Sequence, residues 1–210
     1  MNIIELIVKN AERFPDKSAI VFDDEALTYR DLVEQVRKLS YAFSKLGVKR
    51  GTFIGLLLNN SIEFILSMLA AADLGATIVP MSSSLGRKDL LTAINLTGIE
   101  IIIGWHVTLK NNLDFSEGDF VFDRDHCVVV GGQVDGCPFF DDFLKVDSGG
   151  YKLNNLGVEE NTDFILTMTS GSTSDPKPIV FTQHTKIVRS FAAQKLYGIT
   201  ENDITLTPTP

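Results

Sequence analysis

The stretch that decides the fold runs from Phe53 to Ile103 and reads FIGLLLNNSIEFILSMLAAADLGATIVPMSSSLGRKDLLTAINLTGIEIII. Three short apolar runs in it predict buried strands: Phe53–Leu58, Thr77–Pro80 and Glu100–Ile103. Two helices are predicted between the strands: Ser61–Leu74 and Arg87–Leu96. Strands that alternate with helices in this way are typical of a parallel sheet with right-handed crossovers. The predicted fold class is therefore α/β, built from parallel βαβ units.

The residues before this stretch predict two more helices and a hairpin. One helix covers Asn2–Arg13, with Ile3, Leu6, Ile7 and Ala11 on one face. Short strands at Ser18–Phe22 and Ala26–Thr28 form the predicted hairpin. Thr28 and Asp31 then begin a helix whose apolar stripe is spaced three or four residues apart: Leu32, Val36, Leu39, Phe43 and Leu46. Asn60 and Glu63 form a predicted capping pair for the helix Ser61–Leu74.

The residues after this stretch divide into two regions. In 106–160 the pattern weakens, and Phe120–Phe122 and Cys127–Val130 are the predicted strands; the region is either a variable excursion or a small antiparallel piece. In 161–210, strands are predicted at Asp163–Met168 and Ile179–Thr182. An amphipathic helix His184–Tyr197 follows, with four apolar residues on one side: Ile187, Val188, Phe191 and Leu196. The predicted organisation is 1–105 as a βαβ region, 106–160 as a variable region and 161–210 as a third region.

Composition excludes several classes of function. The 210 residues are 44% hydrophobic and 22% charged, which is typical of a globular domain and not of a disordered chain. A net charge of -8 disfavours nucleic-acid binding, because an acidic surface repels phosphate backbones. Cys127 and Cys137 match no zinc spacing, and the three histidines are too scattered to form a metal site. The start of the chain does not resemble a signal peptide, and the longest apolar run, Phe64–Met81, is interrupted by charge. No transmembrane segment and a cytoplasmic location are predicted.

One loop, Thr169–Lys177, is not explained by the needs of a core. It joins two apolar strands with the sequence TSGSTSDPK, where a two-to-five-residue turn would be sufficient for a hairpin. Hydroxyls, free backbone N–H groups and one lysine are the donors that a polyphosphate requires. The loop does not match the P-loop motif, which disfavours a kinase-like nucleotide binder. Residue types alone leave a phosphate-binding loop and an ordinary solvated loop equally open.

The loop and its flanking strands resemble the phosphate-binding signature of the adenylate-forming superfamily, which includes acyl-CoA synthetases, luciferases and the adenylation domains of peptide synthetases. In that family a strand is followed by T-S-G-[ST]-T-G-x-P-K-G and a second strand; here Phe164–Lys177 reads FILTMTSGSTSDPK. Further stretches in register also resemble this family: Asn10–Val21, Leu27–Leu32, Leu46–Gly51, Asn59–Phe64, Ala70–Pro80 and Tyr197–Ile204. The resemblance implies part of the large N-terminal domain of an acyl-CoA synthetase-like fold.

The resemblance also implies the roles of particular residues. The residues that would close over the β- and γ-phosphates of Mg·ATP are Thr169, Ser170, Gly171, Ser172, Thr173 and Lys177. In the family reaction a carboxylate attacks the α-phosphorus, pyrophosphate leaves, and a thiol of CoA or of a carrier protein's pantetheine displaces AMP. Two positions depart from the pattern, since Ser174 and Pro178 stand where glycines are usual. Both changes are expected to stiffen the loop or to alter its closure.

The resemblance implies that the family's adenine-binding, magnesium-supporting and ribose-binding segments would lie after Pro210. The chain is therefore expected to be an N-terminal fragment that contains no catalytic residue and no metal ligand, and that is inactive by itself. Its expected partners are a small carboxylic acid, ATP with Mg²⁺, and CoA or a carrier protein, and the fragment is expected to self-associate through apolar edges. The alternative is a non-catalytic binding module that keeps the fold without the turnover.

Overall fold

The computed structural model describes residues 1–112, 123–154, 156–169 and 177–206. A six-stranded sheet with the order β6-β5-β3-β4-β7-β8 forms its centre. Its strands have the following bounds: β3 Phe53–Leu57, β4 Thr77–Pro80, β5 Ile101–Trp105, β6 Cys127–Val130, β7 Asp163–Thr169 and β8 Lys177–Thr182. A separate antiparallel hairpin consists of β1 Ser18–Phe22 and β2 Glu25–Thr28. The predicted first hairpin is confirmed.

Seven helices surround the strands in the described part of the chain. Their bounds are α1 Ile3–Arg13, α2 Tyr29–Lys45, α3 Ile62–Leu74, α4 Arg87–Thr97, α5 His106–Asn112, α6 Phe140–Phe143 and α7 Gln183–Tyr197. A 3-10 turn covers Arg124–His126. None of the helices in the described residues has the length and apolar character needed to cross a bilayer.

The predicted parallel βαβ units are confirmed. Strand β3 pairs in parallel with β4 on one side and with β5 on the other. The crossover through α3 runs from β3 to β4, and the crossover through α4 runs in the opposite direction, from β4 past β3 to β5. Since parallel crossovers are right-handed, α3 and α4 must cover opposite faces of the sheet. Alternating side chains confirm this: Ile54 and Leu56 belong to the cluster with α1, α2 and α3, whereas Leu57 belongs to the cluster with α4 and α5.

Helix α2 forms as its sequence predicts. Thr28 accepts a hydrogen bond from the backbone of Asp31, and the Asp31 carboxylate accepts one from the backbone of Thr28, which completes a capping box. The predicted stripe is buried at four positions: Leu32, Val36, Leu39 and Phe43. This stripe packs the helix against α3, and the two helices cover one face of the sheet.

One local prediction, the N-cap of α3, was wrong, and the structure adds how α1 and α7 are buried. The N-cap of α3 is Ser61, not Asn60, because Ser61 has the extended backbone of a cap and its hydroxyl accepts from the Phe64 N–H. In α1 the fully buried residue is Ile4, while Ile3, Leu6 and Ile7 are half-buried. In α7 only Ile187 of the predicted apolar side is buried, and Val188, Phe191 and Leu196 are exposed.

Part of region 106–160 extends the sheet. Strand β6 pairs in parallel with β5, so it is a further parallel strand and not a small antiparallel piece. Phe140 is fully buried beneath α2. The predicted strand Phe120–Phe122 lies outside the described residues. The boundaries 1–105, 106–160 and 161–210 stay a prediction.

Candidate functional site

The candidate site lies at the hairpin formed by β7 and β8. Strand β7 lies parallel to β4 through the pair Ile78–Ile165, and β8 returns antiparallel to β7. The last residue of β7, Thr169, pairs with the first residue of β8, Lys177. The Lys177 side chain is exposed. The backbones of Thr169 and Lys177 therefore meet where segment 170–176 begins and ends.

The predicted phosphate-binding residues divide between the described and the remaining part of the chain. Thr169 and Lys177 are brought together as cross-strand partners. Ser170, Gly171, Ser172 and Thr173 lie outside the described residues, as does Ser174. Their joint role in binding phosphate stays a prediction.

Pro178 belongs to strand β8 and not to the loop. The backbone N–H of Gln183 donates to the Thr162 carbonyl at 3.1 Å, so Thr182 is in a non-hydrogen-bonded pair with Asp163. Alternation along β8 places Pro178 in another such pair, with its nitrogen turned away from β7. A proline at this position removes no hydrogen bond between the two strands. These strand pairings do not test the expected effect of Pro178 on the loop, which stays a prediction.

Polar side chains follow the neighbouring parallel strands at the same edge of the sheet. The Ser83 hydroxyl donates to Asn59 Oδ1 at 2.6 Å, which links the loops after β4 and β3. The hydroxyls of Ser82 and Ser84 are 2.7 Å apart. In open α/β sheets ligands bind at the carboxyl edge, so this edge is the expected position for a small polar ligand.

His106, one of the three scattered histidines, is half-buried directly after the end of β5. Its Nδ1 is buried without a hydrogen-bond partner among the described residues. Gly132 packs so closely that a Cβ at its position would lie 2.4 Å from the imidazole Cγ. The Gly131–Gly132 pair was a sequence signal for this contact. It could be interpreted only once β6 was known to lie beside β5.

The described residues contain no group of three or more histidine, cysteine, aspartate or glutamate side chains arranged to hold a metal ion. Cys127 and Cys137 are both buried. Burial raises the pKa of the Cys127 thiol to about 12, so this thiol stays protonated at neutral pH. Cys127 therefore acts as a packing residue of β6.

A buried polar network at the other end of the hairpin was missed by the sequence analysis. Asp73 is 1% exposed, and its carboxylate accepts from the Tyr151 hydroxyl at 2.7 Å and from the Asn154 N–H at 2.6 Å. Asn2 donates to the Asn154 side chain at 2.7 Å and to the Val158 carbonyl at 2.8 Å. The only sequence signal was Asp73 itself, a charge within an apolar run.

A cavity of about 610 Å³ lies between the β1–β2 hairpin and the start of α3. Its lining includes Ile20, Phe22, Phe64 and Leu206, and none of the residues predicted to bind phosphate. A smaller apolar groove of about 350 Å³ lies between α1 and α7. Neither cavity includes the ends of the β7–β8 hairpin.

Comparisons with known proteins agree on one group. The sequence profile of the AMP-binding enzyme family matches residues 7–210. Bacitracin synthase 3 of Bacillus licheniformis is 30% identical over 202 residues, which cover 95% of this chain but only 3% of that protein. The chain thus spans a small part of the curated relatives that it matches.

Two solved structures share the fold. A long-chain-fatty-acid CoA ligase from Rhodopseudomonas palustris CGA009 superposes with a TM-score of 0.85 at 18% identity, covering 100% of this chain and 51% of that chain. The anthranilate CoA ligase AuaEII, solved in complex with anthranoyl-AMP, has a TM-score of 0.73 at 22% identity, with 87% and 35% covered. At this identity the likeness establishes the fold, that of the N-terminal domain of an acyl-CoA synthetase. Since the family profile matches nearly the whole chain, the chain belongs to the AMP-binding enzyme family.

Proposed function

We propose that this chain supplies the phosphate-binding hairpin of an ATP-dependent acyl-activating ligase. In the proposed reaction a carboxylate oxygen bonds to the α-phosphorus of ATP. The bond from that phosphorus to the oxygen that bridges to the β-phosphate breaks, so the products are an acyl-adenylate and pyrophosphate. The observation that carries the proposal is the pairing of Thr169 with Lys177 at the ends of a hydroxyl-rich segment, in a chain of the AMP-binding family.

The proposed chemistry requires positioning and charge neutralisation. Pyrophosphate departs with additional negative charge, so fixed donors and a cation near the β- and γ-phosphates lower the barrier. Lys177 supplies the cation, and the donors are Thr169, Ser170, Gly171, Ser172 and Thr173. Mg²⁺ bound to the nucleotide shares this charge, and the chain is proposed to hold it only through the phosphates.

The acceptor of the acyl group is proposed to be a thiol. The compared structures are CoA ligases, which supports CoA, and a thiol carried on a protein is the alternative acceptor. The anthranilate CoA ligase was solved with an acyl-AMP, which supports a small carboxylic acid as the other substrate. A cytoplasmic location stays a prediction.

Titration of the chain with Mg·ATP tests the phosphate-binding role. We expect saturable heat for the wild-type chain. Replacement of Lys177 by alanine should weaken binding by about tenfold or more, because a hydrogen bond between charged groups contributes about 1.5–3 kcal/mol. Lys195→Ala is the matched control, since Lys195 is an exposed lysine on α7. A flat wild-type titration, or equal loss in both variants, would contradict the proposal.

Turnover is a separate question from binding. The expectation that the 210-residue chain alone forms no acyl-adenylate is checked by carboxylate-dependent exchange of labelled pyrophosphate into ATP, against heat-denatured protein. Exchange above that background would show that this expectation is wrong. The alternative of a non-catalytic binding module stays a prediction, and the same exchange measured on the longest natural product of the gene separates it from a ligase.

A further inference from the structure

Gln183 lies where three parts of the fold meet. It is the first residue of α7, it follows β8 directly, and it is 0% exposed. Its side-chain Oε1 accepts from the Ile3 N–H at 3.0 Å, and its Nε2 donates to the Ala72 carbonyl at 3.0 Å. Its backbone N–H donates to Thr162 at 3.1 Å. One side chain thus connects the base of the β7–β8 hairpin to the start of α1 and the end of α3.

The groups that Gln183 satisfies are helix ends. Ile3 provides one of the first N–H groups of α1, which has no carbonyl partner within its helix. Ala72 provides one of the last carbonyls of α3, and this carbonyl also accepts from the Gly75 N–H at 3.3 Å. A carboxamide carries one acceptor and one donor group on the same side chain, so it can satisfy both. A hydrocarbon of the same size can satisfy neither.

The partners of Gln183 are themselves fixed. Ala72 precedes Asp73, whose carboxylate is held by Tyr151 and Asn154. Ile3 follows Asn2, which is 2% exposed and bonded to the Val158 carbonyl. Gln183 therefore attaches the hairpin to a polar network that is rigid on both sides.

The hairpin is held mainly near its base. In the described part of the chain β8 forms the edge of the sheet, and its first four residues, Lys177–Val180, are exposed. On the inner side β7 pairs with β4 through Ile78–Ile165, and its buried residues, Phe164 and Leu166, also lie toward its start. The direction in which the hairpin points from the sheet therefore depends on how its base is held.

We propose that Gln183 is a positioning residue that sets where the phosphate-binding end of the hairpin lies. The proposal rests on the proposed function. Strand β7 spans about 20 Å at about 3.3 Å per residue, so a tilt of about 5° at its base moves the far end by about 2 Å. A displacement of about 1 Å can cost about 100-fold in a positioned site. Gln183 acts through the hairpin and does not touch the ligand.

The test compares the affinity for Mg·ATP of Gln183→Leu and Gln183→Glu with that of the wild-type chain, by calorimetry on protein shown to be folded by circular dichroism. Leucine removes both hydrogen bonds, so we expect a loss of about tenfold or more. Glutamate keeps the acceptor for Ile3, but when ionised it places a buried charge against the Ala72 carbonyl, so its loss should be at least as large as that of leucine. If one of the two variants does not fold, the other decides by the same criterion.

Two controls separate positioning from stability. Thr28→Ala removes the cap of α2 far along the chain, and it should lower the stability without changing the affinity for Mg·ATP. Gln194→Leu changes an exposed glutamine on α7 and should change neither. Wild-type affinity in folded Gln183 variants would overturn the positioning role and leave the proposed function intact. A flat wild-type titration would remove the proposed function, and the positioning role with it.

Discussion

Asp73 is a carboxyl group in a place where a charge is expensive. It is buried in the last turn of α3, where the negative end of the helix dipole also disfavours an anion. Burial raises the pKa of Asp73 above its ordinary value, although hydrogen bonds from Asn154 and Tyr151 act in the opposite direction. The folded protein therefore holds a proton on Asp73 more tightly than the unfolded chain does.

The sign of the pH dependence follows from this difference. The stability gained from the protonated Asp73 is complete below its unfolded pKa and is lost as the pH rises through the higher folded pKa. For Asp73→Asn, which is neutral at every pH, this loss is absent. We expect the unfolding free energy of Asp73→Asn, relative to wild type, to rise as the pH increases from below the unfolded pKa of Asp73 through its higher folded pKa. Urea denaturation across this range measures it.

A control variant isolates the buried carboxyl group. Asp141→Asn removes one negative charge from an exposed turn, so it reports the effect of net charge alone. The altered hydrogen bonds in Asp73→Asn change the unfolding free energy by the same amount at every pH. The test is therefore the slope of the unfolding free energy with pH and not its absolute value. Parallel curves for wild type and Asp73→Asn would show that Asp73 does not titrate differently in the folded state.

At the scale of single elements, end groups decide where helices begin and stop. Helix α3 begins after Ser61, whose hydroxyl accepts from Phe64 at 3.1 Å, and it ends at Gly75, whose φ of 70° lies in the left-handed region that favours glycine. Both signals were present in the sequence. The choice of Asn60 over Ser61 failed because either residue type is a good cap, and only the backbone conformation separates them.

Ser61→Ala should destabilise the protein by about 1 kcal/mol, because it leaves an N–H of the first turn without its acceptor. For a domain of this size the melting temperature should fall by about 2–4 °C. Ser61→Gly should cost only a few tenths of a kcal/mol, since glycine is tolerated as a cap. Equal melting temperatures for the alanine variant and the wild type would rule out the cap.

The elements that could be predicted from the sequence are those governed by local pattern. Two kinds of pattern indicated a single type of element each: the apolar runs of β3, β4 and β5 indicated strands, and the apolar stripe of α2 indicated a helix. The structure confirms these elements. Helix α7 was placed correctly, but its burial could not be predicted, because burial depends on what packs against a helix. The side-chain hydrogen bonds of Gln183 and Asp73 were unpredictable for the same reason, since the partners in these bonds lie between 78 and 180 residues away.

At the scale of the whole molecule, exposed apolar side chains gather near the end of the described chain. We call this the β8–α7 surface; it contains Ile179, Val180, Val188, Phe191 and Leu196, which are 42–75% exposed. Exposed apolar side chains in this number favour association in water. The nitrogen of Pro178 at the open edge of β8 supplies no donor, so association by adding a strand is disfavoured relative to packing of side chains.

We expect the chain to self-associate through the β8–α7 surface. Sedimentation velocity should show an average mass that rises with protein concentration. The double variant Val188→Lys/Phe191→Lys should lower that mass to one chain, because two cations must be desolvated for the surfaces to meet. Val21→Lys changes an exposed valine on the β1–β2 hairpin and should leave the association unchanged. A wild-type chain that stays monomeric at all concentrations would contradict this expectation.

The contacts of α1 have a consequence for the order of events during synthesis. Asn2 bonds to Val158 and Ile3 bonds to Gln183, which are 156 and 180 residues further along the chain. At about 5–20 residues per second, the ribosome makes Gln183 about 10–40 s after it makes Ile3. With 11 residues, α1 is too short to persist by itself in water, where about 12–15 are needed. The polar contacts at the start of α1 are thus among the last to form, whereas its apolar face can pack much earlier against α2 and α3.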